Sequence, residues 1–306
     1  MKLYFAPLEG ITTYTYRNLH NEMFGMCDAY FAPFISPTDN EKLSTKNMRG
    51  ILPLNNTVNL KVQCLANSAK AFVEFSKKVI EYGYDEVNLN LGCPSGTVVK
   101  KNKGSGALKD LEKLDDFLCY IFSNTDCKIS VKTRTGYYSH SEFKEILDIY
   151  NTYPIHELII HPRIREEYYS GKPNMDSFSL AYSMNKGNII YNGDIESVDN
   201  YNNIIVSYPE IKGVMIGRGA IKNPAIFREI KGGKKISSDE LIKFTNELEK
   251  RYLVVLESEI YTLQKLKEIW VHTIKNFNNQ DKILKAIKKS KKLTEFNNAI
   301  NCLPII

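Results

Sequence analysis

Gln63, Asn90, Cys93, Lys132, Arg134, His161, Arg163, Asn192, Asp194 and Arg218 each lie at or just past the end of a short apolar run. The runs are LYFAPL, which contains Pro7, then AYFAPFI, NLKVQCL, EVNLNLGC, KISVKTRT, ELIIHPR, IIYNGDI and GVMIGRGA, and they recur through the first 220 residues. Strands that only pack would end on inert side chains. A thiol, an imidazole, amides and cations gathered at strand ends are instead the groups that transfer protons, hydrogen-bond a ligand and neutralise an anion.

The elements that must position these residues follow from periodicity. In KISVKTRT, Ile129, Val131 and Thr133 share one strand face and Ser130, Lys132 and Arg134 the other. In EVNLNLGC, Val87, Leu89 and Leu91 oppose Asn88 and Asn90. The separators SAKAFVEFSKKVIEYG, ALKDLEKLDDFLCYIF and SEFKEILDIYNTY carry apolar residues at helical spacing. Strand and helix in alternation produce a parallel sheet, and eight strands in about 220 residues predict an α/β chain closed into a (β/α)8 TIM barrel. Helices cover the outside of such a barrel, so the polar parity faces inward near the rim. There the C-terminal strand ends assemble one site. For Lys132 the alternative is an ion pair inside the barrel.

After GRGAIKNPAIFREIKGGKKIS the strand pattern stops. Gly232 to Lys235 read as a linker and Ser238, ahead of Asp239 and Glu240, as a helix N-cap. Three helical stretches follow: ELIKFTNELEKRYLVVLESE, TLQKLKEIWVHTIKNF and DKILKAIKKSKKLTEFNNAI. The expected organisation is a catalytic barrel over residues 1–235 and a C-terminal helical domain over 236–306.

Composition narrows the class. With 43% hydrophobic and 25% charged residues in 306, the chain suits a soluble folded protein and neither a disordered nor a fibrous one. No apolar run approaches membrane-span length and the N-terminus lacks a signal-peptide pattern, so a cytoplasmic protein is expected. Six scattered cysteines (Cys27, Cys64, Cys93, Cys119, Cys127, Cys302) with no CxxC pair point to reduced thiols and no metal site. The net charge of +6 is unevenly spread: residues 260–306 carry 9 Lys and Arg against 3 Asp and Glu, and the rest of the chain is balanced. A basic terminal segment suits a phosphate backbone; a solvated lysine-rich helix is the alternative.

The segments APLEGITTYTYRNL, NLNLGCPSGTVVKKNKGSGAL, VKTRTGY, IHPRIREEYYSGKP, NGDI and MIGRGA occur in an order that resembles the tRNA-dihydrouridine synthase family, from Lys2 to near the end of the chain. The resemblance implies FMN as cofactor, NADPH (or NADH) as reductant, RNA uridine as substrate and a helical domain that holds the RNA. Reducing the uracil C5–C6 double bond requires a hydride at C6, from N5 of reduced flavin, and a proton at C5 from an acid on the opposite face. Cys93 matches the family's acid, and a thiol with an unperturbed pKa near about 8.5 is mostly protonated at neutral pH. Ala6, Pro7 and Leu8 match the segment beneath the flavin ring, with Leu8 where the family more often has Met. Gln63 matches a partner of the flavin's pyrimidine edge, Lys132 a cation near N1 and O2, and His161 a flavin-contacting histidine. Asn192, Gly193 and Asp194, with Gly217, Arg218 and Gly219, match the phosphate site. Asn90 matches a partner of the uracil edge, and Arg134 and Arg163 are placed to meet ribose or phosphate. The loop with Lys100, Lys101 and Lys103 resembles the family's mobile loop beside Cys93 and is expected to add positive charge near the nucleotide.

Towards the C-terminus, Lys285, Lys288, Lys289, Lys291 and Lys292 lie in a helical stretch whose apolar face is Ile283, Leu284, Ile287 and Leu293. Such a face binds phosphates with little regard for sequence, so RNA shape would choose the uridine, which must flip out of its stack. The expected substrate is tRNA, with ribosomal RNA open. Two further readings are an FMN barrel acting on a free pyrimidine, as dihydroorotate dehydrogenases do, and an RNA-binding module on an inactive barrel. A monomer is expected, with no membrane and no metal partner.

Overall fold

The computed structural model describes residues 1–39, 48–184, 188–277 and 280–301. Cys302 lies outside them. Eight parallel strands close a barrel in sequence order: β1 (Lys2–Phe5), β2 (Ala29–Phe31), β3 (Leu60–Cys64), β4 (Glu86–Leu91), β5 (Lys128–Gly136), β6 (Leu158–Ile164), β7 (Ile189–Asn192) and β8 (Gly213–Ile216). β1 pairs with β8 from Lys2–Gly213 to Phe5–Ile216, which leaves no open edge. All eight apolar runs of the sequence are strands.

Alternation along each strand divides two apolar layers. Tyr4, Ala6, Ala29, Phe31, Ile159, Ile190 and Met215 form a small cluster inside the barrel. The opposite parity, including Phe5, Tyr30, Val62, Val87, Leu89, Leu91, Val131 and Ile160, belongs to the larger cluster outside. Each aliphatic side chain so buried contributes about 1.5–3 kcal/mol, and a one-residue slip would reverse the faces. The β4–β5 register sets Asn88 against Ser130 and Asn90 against Lys132, so the polar parity of both strands shares the interior. Toward the closed end, interior charges are paired: Lys61 with Glu86 at 2.7 Å and Lys2 with Glu157 at 2.6 Å. Lys132, nearer the rim, has no such partner among the described residues.

Several connecting helices start after a residue whose side chain caps them. The Ser68 hydroxyl accepts from Ala71 N–H at 3.1 Å before the helix Ala69–Glu81, and Asp110 accepts from Lys113 N–H at 3.2 Å before Leu111–Ser123. The C-terminal helices begin with Ser238–Leu256, whose N-cap is Ser237 and not Ser238. The reason is spacing: Ser237 accepts from Glu240 N–H, and the Glu240 carboxylate accepts from Ser237 N–H, both at 3.2 Å. Helix Glu259–Thr273 follows. The last stretch, read from sequence as one helix, is two, Gln280–Lys289 and Leu293–Ile300. Lys292 between them is extended, and Lys267 donates to the carbonyls of Lys288 and Ser290 at the break.

These helices dock closely on the barrel. Phe244 packs edge-on against Tyr16 and Phe24, Tyr252 shares a 3.0 Å hydrogen bond with Thr13, and Arg251 pairs with Glu22. Lys265 donates to Gly10 O at 3.0 Å and Thr273 to Ile221 O at 3.0 Å. Residue 235, where the sequence suggests a division, lies in a stretch without regular secondary structure ahead of the helix Ser238–Leu256. Among the described residues, no helix is long and apolar enough to cross a membrane.

Candidate active site

The C-terminal strand ends surround a cavity of about 300 Å³, at the low end of the size common for ligand sites. Ala6, Pro7 and Leu8 after β1, Gln63 on β3, Asn90 on β4, Cys93 in the next loop and Lys132 and Arg134 on β5 all line it. So do His161 on β6, Asn192, Gly193 and Asp194 at β7, and Gly217 and Arg218 after β8. Of the residues read from sequence as flavin, phosphate or uridine contacts, Arg163 and Gly219 do not.

Cys93 is held by its backbone. Its N–H and that of Gly92 donate to Asn90 Oδ1 at 2.9 and 3.0 Å. Its carbonyl accepts from the Ser105 N–H and hydroxyl at 3.0 and 2.9 Å. Gly104 makes this closure possible: its φ is +58°, and a Cβ there would lie 2.7 Å from Cys93 O. Burial raises the pKa of the Cys93 thiol, opposed by the Ser95 backbone, Lys132 and Arg134. The thiol therefore stays protonated at neutral pH, as a proton donor must.

Lys132 has neither a hydrogen bond nor an ion pair among the described residues. Burial first, then Arg134, lowers its pKa to about 8. A cation in a cavity wall with no acidic partner calls for an anionic ligand, and this is the observation by which the site fits a flavin. His161 contributes a neutral donor. Arg163 Nη1 lies 2.9 Å from His161 Nε2, and because arginine can only donate, Nε2 accepts and the proton sits on Nδ1. Burial, then Lys132, Arg134, Arg163 and Arg218, hold the imidazole pKa well below its usual value.

The loops after β7 and β8, expected from sequence to hold a phosphate, meet at one side of the cavity. Asn192 Nδ2 donates to Met215 O at 2.8 Å, and Asp194 pairs with Arg218 and Arg163, both at 2.6 Å. A Cβ at Gly219 would lie 2.0 Å from Ile195 O, so only glycine permits this approach.

Arg134 and Arg163, expected at ribose or phosphate, are turned to other work. Arg134, 1% exposed, donates to the carbonyls of Gly92, Ile164 and Tyr168 at 2.9, 2.8 and 2.6 Å and ties the Cys93 loop to the loop after β6. Arg163 is 0% exposed and donates to Asp194, Ser170 O and Gly171 O besides His161. A buried guanidinium needs acceptors for its N–H groups, and its planar fork can reach several carbonyls at once. Lys103 is also drawn inward, 6% exposed, with Nζ 2.7 Å from Ser36 Oγ, whereas Lys100 and Lys101 are exposed.

Among the lining residues that the sequence did not single out are Glu9, Ile11, Pro33, Phe34 and Tyr169. The Tyr169 ring lies under Arg218 at 4.6 Å and Arg134 at 5.8 Å, and its centroid is 6.1 Å from that of His161. Only its place in the IHPRIREEYYSGKP segment marks it in sequence.

The profile of the family described as "Dihydrouridine synthase (Dus)" matches residues 4–303. The chain belongs to the dihydrouridine synthase family. It is therefore an oxidoreductase that reduces uridine to 5,6-dihydrouridine. Among the relatives of this dihydrouridine synthase, tRNA-dihydrouridine synthase B of Pseudomonas syringae pv. tomato is 25% identical over 229 residues, 74% of this chain and 67% of that protein. A probable tRNA-dihydrouridine synthase of Helicobacter pylori is 30% identical over 241 residues, 75% and 70% of the two chains. Two solved structures share the fold. TcOYE with pHBA has a TM-score of 0.53 at 10% identity, covering 76% of this chain and 88% of that one. A morphinone reductase variant in complex with tetrahydroNAD has 0.55 at 8%, covering 76% and 87%. The family match runs through both the barrel and the C-terminal helices of the synthase.

Proposed function

We propose that this synthase acts on uridine in folded tRNA, with FMN in the barrel-mouth cavity and NADPH as reductant, and that Cys93 is its proton donor. The observation that carries this reading is the pairing, in one cavity, of a protonated thiol with an ammonium that lacks an acidic partner. Lys132 and His161, with Gln63, would hold the flavin ring, and the loops of Asn192–Asp194 and Gly217–Gly219 its phosphate. Bound FMN supplies hydride to the pyrimidine. Cys93 delivers a proton to C5, Asn90 meets the base, and Arg134 and Arg163 hold the loops that carry Cys93 and Asp194. The exposed Lys285, Lys288, Lys289, Lys291 and Lys292, over buried Ile287 and Leu293, face the tRNA phosphates.

Incubating the protein with NADPH and unmodified tRNA, ribosomal RNA or free uridine, and measuring dihydrouridine by mass spectrometry, tests the reading. Product in tRNA alone is the expected result. Product from the free nucleoside at an equal rate would overturn the tRNA assignment.

The charge of Lys132 adds a pH dependence. The apoprotein's ammonium is present below pH about 8 and lost above it, and an anionic ligand raises that pKa by favouring the charged form. FMN affinity is thus expected to be level from mildly acidic to neutral pH and to fall through the alkaline range. Fluorescence titration of the apoprotein checks it, and Lys132→Met should bind more weakly with little pH dependence.

A further inference from the structure

One line of hydrogen bonds runs through the barrel from its closed end to Cys93, every member buried except Cys93 itself. Ser130 Oγ donates to Glu86 Oε1 at 2.6 Å, and Asn88 Nδ2 to Ser130 Oγ at 2.8 Å. Gln63 Nε2 donates to Asn88 Oδ1 at 2.7 Å, and Asn90 Nδ2 to Gln63 Oε1 at 2.8 Å. Asn90 Oδ1 accepts from the N–H groups of Gly92 and Cys93. Glu86, Asn88 and Ser130 are at most 2% exposed, and none of them lines the cavity.

Both ends dictate the same direction. A carboxylate ion-paired with Lys61 only accepts, so the Ser130 hydroxyl must donate to it, and each amide in turn can lie only one way round. At the other end two backbone N–H groups demand an oxygen from Asn90. No amide can reverse without leaving a buried donor facing a donor, which costs more than a hydrogen bond normally contributes. What remains for a ligand follows. Both acceptor positions of Asn90 Oδ1 are filled and one Nδ2 hydrogen is spent on Gln63, so Asn90 can only donate into the cavity. Gln63 keeps one donor and one acceptor.

We propose that Glu86, Ser130 and Asn88 are positioning residues that fix the amide directions of Gln63 and Asn90, so that the site presents a donor to a pyrimidine carbonyl and an ordered pair to the flavin edge. The proposal rests on the function assigned above. Cutting the line at Ser130→Ala leaves the buried Asn88 Nδ2 donor without its partner, so Asn88 loses its anchor and Gln63 the acceptor that holds its Nε2 in place. FMN should then dissociate about tenfold more readily, as expected for about one hydrogen bond. The kcat on tRNA should fall about 10–100-fold through misplacement of the base, while KM for tRNA, set by the distant basic helices, stays within about twofold. Ser130→Thr, which keeps the hydroxyl, should restore both. Asn88→Asp, which removes the donor to Ser130, should repeat the loss.

FMN titration and steady-state kinetics on these variants decide it. Wild-type FMN affinity and kcat in Ser130→Ala, even with a lowered melting temperature, would overturn the proposal. An equal loss in Ser130→Thr would also overturn it, because volume and not hydrogen-bond direction would then be the cause. A wild-type protein that makes no dihydrouridine would instead overturn the underlying function.

Discussion

Cys93→Ala should lower dihydrouridine formation by about 10²–10⁴-fold, the usual contribution of a positioned general acid, while FMN binding and its reduction by NADPH are unchanged. The hydrogen bonds that tie residue 93 to Asn90 and Ser105 come from its backbone, so removing the sulfur leaves the loop in place. The loss should appear in the chemical step, measured in a single turnover of prereduced enzyme with tRNA. The thiol must be protonated to act, and burial raises its pKa. Activity should therefore persist above the pH at which a free thiol ionises and decline on the alkaline side. Full turnover by the alanine variant would remove Cys93 from the acid's role.

The triple variant Lys285→Glu, Lys288→Glu, Lys289→Glu should weaken tRNA binding at least about 100-fold and reduce the slope of log affinity against log salt by about 2–3, one phosphate contact per lysine. All three lysines are exposed and the helix is held by its other face, through Ile287, Ile283 and Leu284, so the fold should survive. Flavin reduction by NADPH, which needs no RNA, is the internal control. Filter binding at several salt concentrations measures the slope. Deleting the helices would be a poorer experiment, since it would uncover Tyr16 and Phe24, which pack against Phe244.

The sequence by itself determined the barrel and most of its mouth. Two-residue alternation in EVNLNLGC and KISVKTRT decides which side chains enter a closed sheet, and strand ends are the only place where polar residues of that parity meet a ligand. That is why Asn90, Cys93 and Lys132 could be placed together from local pattern alone. The capping of Ser238–Leu256 was one residue out because two serines compete there and only the reciprocal bond with Glu240 separates them. Tertiary structure alone decided what each polar side chain does. Arg134, Arg163 and Lys103 are cations in sequence, and a cation reads as a ligand contact. In the folded chain they are buried donors to carbonyls, a hydroxyl and a carboxylate supplied by other segments. Tyr169 is likewise an unremarkable loop residue until Arg134 and Arg218 converge on its ring. The physical reason is the same in each case. Strand parity is a property of neighbouring residues along the chain, whereas the pairing of a buried donor with its acceptor is settled among segments tens of residues apart, after the barrel has closed.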